Sequence, residues 1–173
     1  MLQSLALRDF VIVDHLELDF AKGFSVLTGE TGAGKSILLD ALGLALGERA
    51  DSSQIREGAS RAEISVIFQL EGELQNSVRC WLEENDFSLE DDGTSLVIKR
   101  SIDSSGRSKA FINGSVASLN QLREIGDHLV DIHGQHAHQL LLKTGAQREL
   151  LDRHANLLQE VTEVHQAFRA MNE

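Results

Sequence analysis

Residues 29–36 read GETGAGKS, directly after the apolar run FSVLT and directly before a helical pattern. They satisfy the spacing G-x-x-x-x-G-K-[ST] at Gly29, Gly34, Lys35 and Ser36. Gly29, Gly32 and Gly34 let successive backbone N–H groups turn inward to form an anion nest. A helix opening near Lys35 aims the positive end of its dipole at the same point. Lys35 brings a full charge to the β- and γ-phosphates of a nucleotide, and the Ser36 hydroxyl is a ligand for Mg²⁺. The whole loop, Gly29, Glu30, Thr31, Gly32, Ala33, Gly34, Lys35 and Ser36, is therefore the candidate nucleotide site. A glycine-rich turn with an incidental Lys-Ser explains it less well, because a strand is expected before it and a helix after it. The motif does not choose among ATPases, GTPases and kinases.

Hydrolysis of this kind usually needs a second acidic group at the end of an apolar strand. Asp131 in HLVDI is the candidate, although the apolar run before it is only Leu129 and Val130. A guanine-reading N-K-x-D is absent, and DSSG at 103–106 is explained more simply as a hairpin turn. His133, His136 and His138 lie within HGQHAH, but without a nearby cysteine or a clear fourth ligand they read as a polar loop rather than a metal centre.

The elements that must hold the loop follow from periodicity. LQSLALR (2–8) and HLELDF (15–20) alternate as half-buried antiparallel strands, whereas GFSVLT (23–28) is continuously apolar, as in a central strand. Ile37, Leu38, Ala41, Leu42, Ala45 and Leu46 predict a helix that Gly47 terminates. Strands are expected at 62–70, 96–102 and 107–113, and a short helix at 74–84. Ser118 and Gln121 form a capping box opening a helix to about 127, and HLVDI (128–132) reads as a short buried strand. Leu150, His154, Leu157, Val161, Val164, Phe168 and Met171 recur at intervals of 4, 3, 4, 3, 4 and 3. That is a coiled-coil seam of about three heptads, with a terminal amphipathic helix as the alternative. The pattern runs to Glu173 without a glycine cap, which reads as a cut rather than an ending.

Composition sets outer bounds. The 173 residues suffice for one domain with a core. The net charge of −11 opposes a whole-surface attraction to nucleic acid but leaves room for a local patch, and Lys99, Arg100, Arg107 and Lys109 crowd one hairpin. A charged edge that deters strand pairing explains that cluster equally well. Cys80 is the single cysteine, so an internal disulfide is excluded. No apolar stretch reaches the ~18 residues of a membrane span, and Asp9 interrupts any signal-peptide core. The expected compartment is the cytoplasm, with no membrane partner.

The run LALRDFVIVDHLELDFAKGFSVLTGETGAGKSILLDALGLALGERA, then IREGASRAEISVIF and DIHGQHAHQLL, resembles the bacterial RecN family, double-strand-break repair ATPases related to the SMC proteins. The resemblance implies an α/β fold: an ABC/SMC-type P-loop ATPase half-head, with a mixed sheet beside an antiparallel sheet and flanking helices, leading into a coiled coil. Residues 1–145 would be the N-terminal lobe and 146–173 the start of the coil. The coil folds back, and a C-terminal half-head supplies the signature loop and the Walker B acid. Two completed heads sandwich two ATP molecules, so this chain alone is expected to bind ATP and hydrolyse it poorly.

By the same resemblance Gln135, in HGQ, is the Q-loop glutamine that reaches Mg²⁺ and the attacking water. It joins Lys35 as a catalytic residue and Ser36 as a metal ligand. Arg56, in IREGA, resembles an arginine loop near nucleotide or DNA, with a solvated charge as the competing reading. Implied partners are DNA ends or single strands, the chain's own C-terminal half-head, a second copy through ATP-bound heads, and a recombinase, all at the nucleoid. Two other readings stand beside it: a self-contained P-loop kinase or NTPase using Asp131, and a coiled-coil scaffold with a vestigial site.

Overall fold

The computed structural model describes residues 1–28, 34–90, 93–130, 147–148, 151–152, 154–155 and 157–172. The chain divides into two compact units, Met1–Val130 and Asp131–Glu173. The boundary expected at 145/146 lies outside the described residues.

In the first unit, β1 (Leu2–Phe10), β2 (Val13–Asp19), β3 (Arg61–Gln69), β4 (Ser95–Asp103), β5 (Ser108–Ile112) and β6 (Ser115–Ala117) form one sheet in the order β2-β1-β3-β4-β5-β6. Every pairing in it is antiparallel. Side chains alternate between its two faces. Leu5 and Leu7, then Ala62, Ile64, Val66 and Phe68, then Leu96, Ile98 and Ile102 point to one face and are buried there. Helices α1 (Lys35–Ala45), α2 (Gly72–Glu84) and α3 (Leu119–Leu129) contribute Ala41, Leu44, Val78, Leu82, Leu122 and Ile125 to the same core. The other sheet face carries the polar partners of the alternation, among them Arg8, Glu63, Ser65, Lys99, Ser101 and Lys109.

Most expected elements form. The capping box is present: the Ser118 hydroxyl accepts from the Gln121 N–H, and the Gln121 side chain accepts from the Ser118 N–H. Two expectations are corrected. GFSVLT (23–28) is irregular rather than a strand, with Phe24 94% and Val26 66% exposed. A central strand needs neighbours on both sides, and among the described residues none lies beside it. His128 and Leu129 belong to the last turn of α3, because the helix continues to a cap at Val130, so a strand cannot begin at 128. The six-stranded sheet is the antiparallel sheet expected of the half-head.

Helix α1 ends in a Schellman arrangement. The Glu48 N–H donates to Gly43 and the Gly47 N–H to Leu44, with Gly47 at φ 98°. A β-carbon at Gly47 would lie 2.7 Å from Arg123 Cγ and 2.9 Å from both the Arg123 nitrogen and the Leu119 oxygen. Gly47 therefore lets the end of α1 sit directly on the start of α3.

In the second unit, α4 (Leu158–Asn172) carries Val164, Phe168 and Met171 of the heptad seam, all exposed. Leu150 lies outside the described residues.

Gly47→Ala is expected to destabilise the chain by about 2–3 kcal/mol, since it adds both a left-handed backbone penalty and a backbone clash. Urea denaturation checks it: an unchanged midpoint would show that α1 and α3 can separate at no cost.

Candidate functional site

The glycine loop runs into α1. Gly34 caps the helix at φ 93° and ψ −2°, a left-handed conformation open to glycine, and Lys35 is the first helical residue. Among the described residues no side chain caps this end, and no acidic residue occupies the first turn. The first-turn N–H groups and the positive dipole end are thus left for an anion. Ser36 stands exposed in that turn. Gly29–Ala33 lie outside the described residues, as do Asp131, His133, Gln135, His136 and His138. Among the described residues, no group of three histidine, cysteine or carboxylate side chains is placed to hold a metal.

The other end of α1 is anchored by two arginines: Arg123, which the sequence reading did not assign, and Arg100, which it placed in the basic hairpin cluster. Arg100 is fully buried. Its Nη1 donates to the carbonyls of Leu44 and Glu48, the latter at 2.7 Å, and its Nε donates to Ser108 Oγ at 2.7 Å. Arg123 Nε donates to the Gly47 carbonyl at 2.9 Å. Cationic donors at a helix C-terminus satisfy orphan carbonyls and oppose the negative dipole end. Burial lowers the pKa of Arg100, and the nearby Arg123 charge lowers it further; a guanidinium remains protonated all the same. Arg100 Nη2 is buried and has no hydrogen-bond partner among the described residues.

Arg100 is therefore removed from the basic hairpin face. Strand alternation sends Lys99 and Lys109 to the open side of the sheet and Arg100 to the core. Arg107 is engaged as well: it pairs with Asp103 at 3.1 Å across the turn.

Arg56 follows a short 3-10 turn, Ser52–Gln54, that carries its own capping box through Asp51 and Gln54. Its Nη1 lies 3.2 Å from Asp14 and 3.8 Å from Asp9, and its N–H donates to the Asp9 carbonyl. The Val11 N–H donates to Gln54. These contacts hold the β1–β2 turn, where Asp9 (φ 51°) and the β-branched Val11 (φ 53°) adopt a conformation that costs L-residues energy. Arg56 thus has two carboxylate partners within the unit. The D-x-x-Q spacing at 51–54 was the available signal for that turn.

A left-handed glycine entering an uncapped helix from a G-x-x-x-x-G-K-S loop, beside an antiparallel sheet, defines a P-loop nucleoside triphosphatase domain. The AAA domain family profile matches residues 4–173, and the chain belongs to that family. Within it, the chain is similar to the DNA repair protein RecN of Haemophilus influenzae, with 48% identity over 172 residues, 98% of this chain and 30% of that one. It is 39% identical to RecN of Bacillus subtilis over 173 residues, all of this chain and 28% of the other. The resemblance read from the sequence is borne out, and the chain spans about a third of the length of these relatives. Among solved structures, the Smc head domain with an extended coiled coil from Pyrococcus furiosus matches at TM-score 0.69 and 22% identity, over 99% of this chain and 46% of that one. A chain from work on ATP-driven dimerization and DNA-stimulated activation of SMC ATPases matches at TM-score 0.59 and 22% identity, over 87% and 97%. At such identities the likeness is one of fold, and the fold is the SMC-type ATPase half-head that the sequence implied. Among the described residues, no helix is long and apolar enough to cross a membrane.

Arg100→Met should cost about 3 kcal/mol, because it strands buried carbonyls that a charged donor now satisfies. Arg100→Lys should recover little, since one ammonium cannot span the acceptors reached by a planar guanidinium. Denaturant titration of the three proteins tests both; equal stability of all three would mean that Arg100 does not anchor α1.

Proposed function

We propose that this chain is the ATP-binding half of an SMC-like ATPase head that serves DNA repair. The observation that carries the reading is the entry to α1: an intact phosphate-loop sequence ending at left-handed Gly34, in front of a first turn with no side-chain cap among the described residues and no acid. The loop, Gly29 to Ser36, takes the triphosphate, and Lys35 pairs with its β- and γ-oxygens. The exposed Ser36 hydroxyl and the Gln135 amide fit a hard cation that keeps most of its ligands as phosphate and water, so these two residues would hold Mg²⁺. When bound, Mg²⁺ neutralises charge developing on the phosphates.

The irregular segment 23–28 supports the half-head part of this reading. Phe24, Val26 and Leu27 are exposed where a strand feeding a phosphate loop is normally sheathed on both sides. A C-terminal half-head would supply the neighbouring strands and the acid that positions water. Two such heads would close over two ATP molecules, with Arg56 near the shared site. The α4 seam would begin the coiled coil that carries the head's motion to DNA ends or single strands and to a recombinase. The relatives' role in DNA repair favours this over a self-contained kinase using Asp131.

Two measurements on the 173-residue chain test it. Equilibrium ATP binding should be weakened at least about tenfold by Lys35→Ala, a difference of roughly 1.4 kcal/mol, and weakened also by chelating Mg²⁺. Steady-state hydrolysis should be negligible in both proteins. Robust turnover that vanishes with Lys35→Ala would place the catalytic acid within this chain and replace the half-site reading with the self-contained one.

A further inference from the structure

We infer that the open face of the sheet, around Phe111, is a single-stranded nucleic-acid platform. This deepens the DNA part of the reading above and rests on it. In register, Lys99 lies opposite Phe111, and Phe111 opposite Val116. Lys109 is two residues from Phe111 on the same strand, so it shares that face. In the next row, Arg8 faces Glu63, Glu63 faces Ser101, and Ser101 faces Lys109. The small side chains Ala6, Ser65 and Ser101 keep the middle of the face low.

A depression of about 570 Å³ results, bordered by Arg61, Lys99, Lys109, Phe111 and Glu63. That lies within the roughly 300–1,000 Å³ that ligand pockets occupy. Glu63 ion-pairs with Arg61 at 3.2 Å and with Lys99 at 3.3 Å, which fixes those two cations at the rim. Glu90 also borders the depression. Within the lining of the depression Arg61, Lys99 and Lys109 outnumber these two carboxylates, on a chain whose net charge is −11; beyond it, toward β2, the same face carries Glu17 opposite Ala6. From Lys109 to Arg8 the cations span three strand spacings, roughly 14 Å, which is the reach of a few nucleotides of backbone.

An aromatic side chain on a sheet, flanked by ammonium groups and by neighbouring hydroxyls, is suited to unstacked bases. The ring offers a π-face to a base and the cations follow the phosphates. A duplex hides the π-faces of its bases, so Phe111 would have nothing to stack on. The chemistry selects a single strand. Among the described residues of this unit, no element covers this face, because α1, α2 and α3 all pack on the other one.

The test is fluorescence anisotropy with the 173-residue chain and a labelled oligo-dT of about 15 nucleotides, beside a duplex of equal length, over a salt series. Phe111→Ala and Phe111→Leu should both weaken oligo-dT binding by about 5- to 100-fold; the leucine keeps the apolar volume and removes only the π-face. Lys99→Gln and Lys109→Gln should each weaken binding several-fold and reduce the salt slope by about 0.7. Arg79→Gln, on α2 across the sheet, should change nothing. Thermal melts and ATP binding on the same preparations separate misfolding, and failure of the nucleotide site, from failure of this surface. Oligo-dT binding that survives both Phe111 substitutions overturns the platform while leaving the DNA reading intact. A duplex bound as tightly as the single strand, with losses confined to the lysine variants, overturns it in favour of a duplex-backbone surface. Absence of binding even at low salt overturns it outright.

Discussion

The buried Arg100 guanidinium is the contact on which the placement of the nucleotide helix depends. A phosphate loop works only if its helix is held still, and Arg100 is the buried charge that holds the far end of α1, alongside Arg123 and the packing of Gly47 on α3. Its apolar face seats Ala41, Leu44 and Ala45 against the sheet, but apolar contact alone lets a short helix slide. Arg100 prevents sliding by donating to two carbonyls at once, one within the last turn and one just beyond it. Arg123 fixes the carbonyl between them from α3. Burying a cation in this way is costly unless it is well bonded, and one of its donors has no partner among the described residues. The compensation is directional: the charge sits at the negative end of the helix dipole, opposite the end offered to phosphate.

This anchoring explains why the glycines at either end of α1 serve opposite purposes. Gly34 takes a left-handed turn so that backbone N–H groups are left uncapped. Gly47 takes one so that the carbonyls of Gly43 and Leu44 find backbone donors and α3 can approach within contact of the backbone. One end is kept unsatisfied for a ligand and the other is closed by protein, which is the polarity an anion-binding helix needs.

Much of the fold was legible because it rests on local rules. Period-two alternation placed five of the strands, and Ser118 with Gln121 opened α3. Asn113-Gly114, both at positive φ, was an unused hairpin signal for β6. The same alternation that marked β4 also separates Lys99 from Arg100, so the true role of Arg100 was present in the pattern, although its carbonyl partners come from fifty residues away and no local rule points to them. GFSVLT failed for a different reason. Its apolar run is right for a central strand, but strand formation depends on neighbours, and sequence pattern reports only what a segment is suited to pair with. Of the candidate site, the motif and its glycine geometry were legible; the arginine anchors and the pairing of Arg56 with Asp9 and Asp14 were not.

The two faces of β4 carry different chemistries one residue apart, so the register of this strand decides both. A slip by one position would send Lys99 into the core and Arg100 to the surface. Asn113 guards against it. Its N–H donates to the Val97 carbonyl and its side-chain oxygen accepts from the Val97 N–H, both at 2.9 Å. Its side-chain nitrogen donates to Ser88 at 2.8 Å. A buried amide whose backbone N–H and side-chain oxygen both match Val97 of β4 is worth more for specificity than for stability, since another register leaves those groups unpaired in an apolar setting. The Asn113-Gly114 turn and the buried arginine are thus one device: the turn sets which residue of β4 faces inward, and the inward residue sets where α1 ends and, through its fixed length, where the phosphate loop begins.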